Sequence, residues 1–494
     1  MSRIMTTSPA APSDPEEGEH LTRALSNRHI QLIAIGGAIG TGLFMGSGKT
    51  ISVAGPSVIL VYMVIGFMLY FVMRAMGELL LSRTGYRNFS DFAGDILGPW
   101  AAHFTGWTYW FCWVVTAVAD VVVIASVYIT FWAKDIPPWI PAVAVIVLLI
   151  GLNLPTVRAF GETEFWFAMI KIVAIVALIV VGAVLIITGF EHDGARASLA
   201  NLWEHGGVFP QGFMGFVAGF QIAVFAFVGI ELVGTAAAET KNPEKNLPRA
   251  INAIPIRILL FYVGSLVILM SVVPWDRFSK DESPFVMLFT LAGLGAAAHL
   301  VNAVVLTSAM SSANSGIYST SRMVYGLATE GDAPKVFAKL SGRKVPQNAL
   351  FLTGVMLLSS VVLLAFGLDK SAGFTVVTTV SSLCFMFVWT IILASYLVYR
   401  SRRPQAHAES AFKMPLGTIM PWVVFAFFLF LLWAFTRETD TLQAMLVTPI
   451  WFLIVGVAYL VLRRNPEHLA ARQAFAARVQ EEKRAAAQWR AAQH

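Results

Sequence analysis

Residues 36 to 42 read GGAIGTG in the middle of an apolar stretch, from Ile30 to about Ile51, that is long enough to cross a bilayer. Inside a membrane every backbone amide and carbonyl needs a partner, and a glycine run loosens the helical ladder that supplies one. Such a break is tolerated only where the freed groups line a cavity or hold a ligand. The chain therefore has to fold around a broken transmembrane helix. Freed amides at that depth favour an anionic group and freed carbonyls favour a cation, and an amino acid carries both.

The rest of the composition agrees with a membrane setting. Of 494 residues, 57% are hydrophobic and only 13% charged, and the mean hydropathy is +0.69. Soluble domains do not have this balance. The expected fold class is an all-α polytopic membrane protein with twelve transmembrane helices, at 30–53, 56–81, 99–132, 139–156, 163–189, 213–237, 251–274, 284–325, 347–367, 372–398, 415–436 and 442–462. With the N-terminus inside, the inner loops hold 16 Lys and Arg residues and the outer loops 7. The positive-inside rule then puts both termini in the cytoplasm.

The formal charge of +6 follows from that loop bias and the basic tail, so no nucleic-acid partner is expected. The first 25 residues are polar and lack the apolar run of a secretory signal, so they read as a flexible tail. The last 30 residues are helix-prone and expected to be solvated on the cytoplasmic side. Cys112 and Cys384 both fall inside predicted spans, which leaves no disulfide framework, and neither they nor the nine scattered histidines offer metal-ligand spacing. No cofactor is expected.

The run GSGKT at 46–50 looks like the end of a phosphate-binding loop, but that motif needs a glycine where Leu43 stands, and no strand precedes it. A nucleotide site, and with it an ATP-driven pump, is excluded. Residues 212–237 supply a second glycine-interrupted span, with Glu231 inside it. Two broken helices at corresponding places in two five-span halves are what an inverted-repeat carrier requires; close packing through small residues is the competing explanation.

Ionisable side chains in the hydrocarbon layer cost about 2.5–3.5 kcal/mol each even on the gentlest scale, so each needs a partner or a task. Lys171 lies about eight residues into its span, roughly 12 Å deep at about 1.5 Å per residue. Burial makes its charged form costly enough for it to gain and lose a proton, and Asp120 is the nearest candidate counter-charge. A purely structural ion pair is the alternative. Glu231 is placed to steady the second break or to meet a substrate ammonium. Glu78, four residues after Arg74, reads as half of a helix-surface ion pair with a packing role. Glu239 begins the run ETKNPEKNLPRAI, which reads as an ordered loop or gate.

With these residues in view, the stretches NRHIQLIAIGGAIGTGLFMGSGKTISVAGPS, MRAMGELLLS, GWTYWFCWVV, GETEFWFAMIKIVAIV, FQIAVFAFVGIELVGT, AAETKNPEKNLPRAIN, SSANSGIYSTSRM and MFVWTIIL resemble the bacterial amino acid transporter family of the amino acid-polyamine-organocation (APC) superfamily. The resemblance runs from about Leu25 to Leu462; the tails do not take part. It implies a leucine-transporter-type fold of 5+5 inverted repeats with broken helices 1 and 6, plus two extra helices. The divisions are then 1–28 as N-terminal tail, 29–190 as first repeat, 211–400 as second repeat, 414–462 as the extra helices and 463–494 as C-terminal tail. It further implies that Gly40, Thr41 and Gly42 meet the substrate carboxylate, and that the carbonyls of Ala38, Phe225 and Val228 meet its ammonium. Phe227 and Glu231 belong to the pocket on this reading, and Lys171 with Asp120 to proton coupling.

The implied function is a proton-coupled symporter in the bacterial inner membrane. The GSGKTIS and WTYWFCWVVT runs point to a branch that imports small neutral amino acids such as D-alanine, D-serine and glycine, with L-alanine and D-cycloserine as further substrates. An exchanger of the same fold is the rival reading, followed by an amino-acid sensor. No Ser/His pair, His-Glu-x-x-His run or paired Asp motif suggests an enzyme.

Overall fold

The computed structural model describes residues 39–83, 85–86, 88–192, 194–235, 242–366 and 370–493. Ala38 and Glu239, both singled out above, lie outside them. The protein is a polytopic membrane protein of the all-α class, with one two-residue strand pair, Glu191–His192 and Ala195–Arg196, among the described residues. Among the described residues nine helices are long and apolar enough to cross a membrane, and Trp139–Asn153 and Met420–Phe435 are shorter apolar helices.

In chain order the elements that position the site begin with the short turn α1 (Thr41–Phe44), α2 (Gly46–Ala54) and α3 (Val58–Leu81). Next come the amphipathic α4 (Phe89–Leu97), α5 (Pro99–Val123, extended by a π turn to Tyr128), α6 (Trp139–Asn153) and α7 (Val157–Thr188). The second half has α8 (Gly212–Ala223), α9 (Leu232–Thr235), α10 (Pro243–Asn252), α11 (Gly264–Val272) and α12 (Gly295–Thr329). Last are α13 (Gln347–Ala365), α14 (Lys370–Arg402), α15 (Met420–Phe435), α16 (Thr439–Leu462) and α17 (Pro466–Ala491).

Local chemistry sets several of these boundaries. Asn88 starts α4 by accepting the amides of Ser90 (2.8 Å) and Asp91 (3.4 Å), and the Thr156 hydroxyl caps α7. Proline occupies the first position of α5 and α17, where its missing amide costs no hydrogen bond. Burial then sorts the helices. The most apolar part of Gly212–Thr235 is 89% buried, whereas those of Val157–Thr188 and Thr439–Leu462 are 22% and 11% buried. The interrupted segment is therefore at the centre of the bundle, and α7 and α16 form its perimeter. Cys112 and Cys384 are both buried.

Four sequence expectations change. The long span at 284–325 is two helices, Pro284–Leu291 and α12, parted by a turn at Gly293. Arg74 does not pair with Glu78: its guanidinium donates to Asn252 Oδ1 at 2.7 Å and to the Lys413 carbonyl. Glu78 is fully buried and instead lies 2.5 Å from His407 Nδ1 and accepts the Met414 amide at 2.8 Å. The run expected as a loop is helical from Pro243, as α10. The C-terminal tail is a helix packed on the bundle, where Phe475 meets Gly98 and Arg403 meets Glu482 at 2.6 Å.

Candidate functional site

At the first break Gly40 is extended (φ −128°, ψ −157°) and helical geometry begins at Thr41. No side chain caps Gly40, so the first-turn amides of α1 lack the partner a capping side chain would give. The Ile39 carbonyl accepts the Ser308 hydroxyl of α12 at 3.1 Å. Thr41 Oγ1 donates to Asp120 Oδ1 of α5 at 2.5 Å, which places the predicted coupling acid directly at the break. Asp120 Oδ2 has no hydrogen-bond partner among the described residues.

The second break follows α8 through a 3-10 turn, Val224–Phe227. Val228 is extended (φ −59°, ψ 136°), which turns its carbonyl out of the helical ladder, and Gly229 has φ +96°, a conformation that glycine adopts without penalty. The Phe225 carbonyl accepts the Val228 amide at 3.1 Å and keeps its second lone pair. The Ala226 carbonyl accepts the Tyr262 hydroxyl at 2.9 Å. Glu231 Oε2 accepts the Gly229 amide at 3.2 Å, so this buried carboxylate holds the unwound turn from within.

The two breaks touch. A Cβ on Gly42 would fall 2.4 Å from Ala226 Cα and 2.8 Å from the Phe225 carbonyl oxygen, so the backbones meet with no side chain between them. The two aromatics of this turn part company. Phe225 meets Phe374 of α14 edge to face at 6.2 Å, whereas Phe227 stacks on Tyr262 at 5.1 Å and packs near Tyr62 at 5.7 Å. Phe227 thus anchors the break and Phe225 faces α14. Beside Phe374, Thr375 accepts Lys49 Nζ at 2.9 Å, and Lys49 also lies 3.6 Å from Asp440.

Lys171 is fully buried on α7, and two carboxylates act on its charge: Asp120 and Glu164. Sequence reasoning missed Glu164. It sits two turns before Lys171 on the same helix, and that seven-residue spacing was the available signal. Glu164 accepts the Ser311 hydroxyl at 2.5 Å. Asn153 Nδ2 of α6 donates to Asn314 Oδ1 at 2.8 Å. The buried Ser308, Ser311, Ser312, Asn314 and Ser315 therefore make one polar seam along α12, running from Glu164 to Ile39 and Gly40.

What this arrangement can do is bind a small polar solute at the join of two unwound helices, next to a group of buried charges. The fold and this join fit a membrane permease, and the sequence pattern of the amino acid permease family matches residues 29–469. The chain belongs to that family. It is 64% identical over 448 residues to the D-serine/D-alanine/glycine transporter of Escherichia coli strain K12, covering 90% of this chain and 95% of that one. The amino-acid permease AapA of Bacillus subtilis is 50% identical over 90% of this chain and 96% of its own. The aromatic amino acid transport protein AroP of Escherichia coli O6:H1 is 38% identical over 92% and 99%.

Proposed function

We propose that this permease is a proton-coupled symporter importing small neutral amino acids, above all D-alanine, D-serine and glycine, with L-alanine and D-cycloserine as further substrates. The observation that carries the coupling is the charge count around Lys171. One ammonium, Lys171, shares its surroundings with two buried carboxylates, Asp120 and Glu164. With all three ionised the group keeps one uncompensated negative charge in the membrane, a state that one exchangeable proton relieves. Because Asp120 also holds the Thr41 hydroxyl, a proton gained or lost there changes the break itself.

The substrate is met by main chain. The uncapped amides at Thr41 and Gly42 suit its carboxylate. The carbonyls of Phe225 and Val228 suit its ammonium, and so does Ala38, which lies outside the described residues. Main-chain groups read only the head group, so selectivity for a small substituent has to come from crowding, and Phe225 against Phe374 is the crowding nearest the break. The 64% identity with a transporter named for D-serine, D-alanine and glycine favours that substrate set.

On this reading the fold is twelve spans in two inverted repeats of five plus two, in the bacterial inner membrane, with both termini cytoplasmic. The deciding experiment is uptake of labelled D-alanine, glycine and L-alanine by liposomes holding the purified protein, with and without an inward proton gradient. Accumulation that collapses with a protonophore supports symport. Uptake seen only in liposomes preloaded with amino acid would replace symport by exchange.

A further inference from the structure

The family pattern ends at residue 469, yet the helix that continues beyond it, α17, is not idle. Its first turn closes over Asp332, just past the end of α12. Trp107 Nε1 donates to the Asp332 carbonyl at 3.0 Å, and the Asp332 amide donates to the Leu327 carbonyl at 2.8 Å, so the residue is pinned. Its buried Oδ1 has no hydrogen bond among the described residues, and lies 3.4 Å from His103 Nδ1 of α5 and 3.6 Å from His468 Nε2 of α17. His103 is fully buried, with neither ring nitrogen hydrogen-bonded among the described residues, and His468 Nε2 also lies 3.2 Å from the Gly331 carbonyl.

Three elements thus bring two imidazoles to one carboxylate without a hydrogen bond among the three. A proton on either ring turns the nearer contact into a charge-assisted hydrogen bond, about twice as strong as a neutral one. We propose that His103, Asp332 and His468 form a proton-binding site that clamps α17 onto the bundle.

Other charges face the cluster. Glu330 stands two residues before Asp332, and Glu467 stands beside His468 and opposite Gly331. From α16, the Tyr459 ring is 5.4 Å from that of His103, and Arg463 and Arg472 act on Tyr459 together with Asp332. Asp332 and His468 open into a cavity of about 600 Å³ whose remaining charged wall is Arg83, Asp91, Asp95 and Arg478. Imidazole is the side chain whose ordinary charge change falls between about pH 5 and 8.

The clamp reaches further than its first turn. Along α17, Arg478 holds Asp95 of α4 at 3.0 Å, Glu482 holds Arg403 after α14 at 2.6 Å, and Arg490 donates to the Ser401 carbonyl at 2.7 Å. Closing α17 therefore ties α4 and α5 to α12 and α14, elements from the first and second halves of the chain. On the face we assign to the cytoplasm, protons delivered by transport tighten the clamp and slow the next cycle. This feedback rests on the proposed symport and orientation; the clamp itself does not.

The test is amide hydrogen exchange over residues 466–491 of the full-length protein, at about pH 5.5 and 7.5, corrected for intrinsic rates and with no substrate or gradient. Protection of α17 should rise about fivefold at the lower pH, and the rise should vanish in His468→Gln and in Asp332→Asn. His468 is on the tail, so its variant leaves the membrane bundle intact. Unchanged wild-type protection, or a rise that survives in His468→Gln, overturns the proposal. Lys171→Ala should keep the rise; its loss there would assign the pH response to the transport site and overturn the clamp equally. Because nothing is transported in this measurement, symport can fail while the clamp stands.

Discussion

Gly42 has no room for a side chain, because a Cβ there would fall 2.4 Å from Ala226 Cα. Gly42→Val forces the two breaks apart, and overpacking of this kind costs about 1–3 kcal/mol. The expected result is loss of D-alanine binding in an isotherm, with insertion and elution profile unchanged; normal binding would remove the site from this join. Lys171→Ala leaves Asp120 and Glu164 with no cation between them, and should abolish accumulation of D-alanine driven by a pH gradient. A variant that still concentrates substrate would move coupling elsewhere. At this scale the sequence was legible where it was rare: a glycine run or a lone lysine in an apolar span has few explanations. Glu164 and the serines of α12 were not, because a carboxylate near a span end and hydroxyls in a helix are common, and only their neighbours across the bundle give them meaning.

Among elements, α17 and α4 show how a helix docks by charge. Burial alone would raise the Asp95 carboxyl, but hydrogen bonds from Tyr86 and Arg403 and the charges of Arg403 and Arg478 outweigh it and hold Asp95 below its ordinary 3.8. Burial and the neighbouring Asp95 push Tyr86 up to about 12, so it stays a donor. A carboxylate with a depressed folded value stabilises docking fully above its unfolded value, and that contribution is lost as pH falls through the folded one. The Asp95 contribution to docking should therefore be lost only below about pH 4, and Asp95→Asn should remove it already at neutral pH. Exchange rates over residues 475–485 report both, and an unchanged rate in the variant would show that Asp95 does not seat the helix. Helix propensity in the tail was legible from its Ala, Glu and Arg content. That it would dock was not, since its partners Asp95, Arg403 and Asp332 are remote in sequence.

For the molecule as a whole, the proposed symport of one proton with a zwitterion would move one positive charge inward. At about 2.3 kcal/mol per 100 mV and about 1.4 kcal/mol per factor of ten, a potential of about 100 mV supports roughly 50-fold accumulation. Liposomes energised by a potassium diffusion potential alone should approach that ratio for D-alanine; a ratio that stays near one would show electroneutral transport. The helical class and the placement of most spans were open to reading, because lipid imposes length and apolarity on every crossing segment. The split at Gly293 was hidden because both pieces are apolar, and the burial of Glu78 because its partners come from the segment after α14.

The two cysteines have a practical consequence. Cys112 and Cys384 are shut inside the bundle at 0% exposure, so the native chain offers thiol reagents almost nothing to modify in its resting shape. A single cysteine introduced at the partly exposed Lys49, or at Thr436 on the turn before α16, would be the sole reactive handle without prior removal of the natural ones. The opening and closing of this permease can therefore be followed in the wild-type background by labelling rate alone.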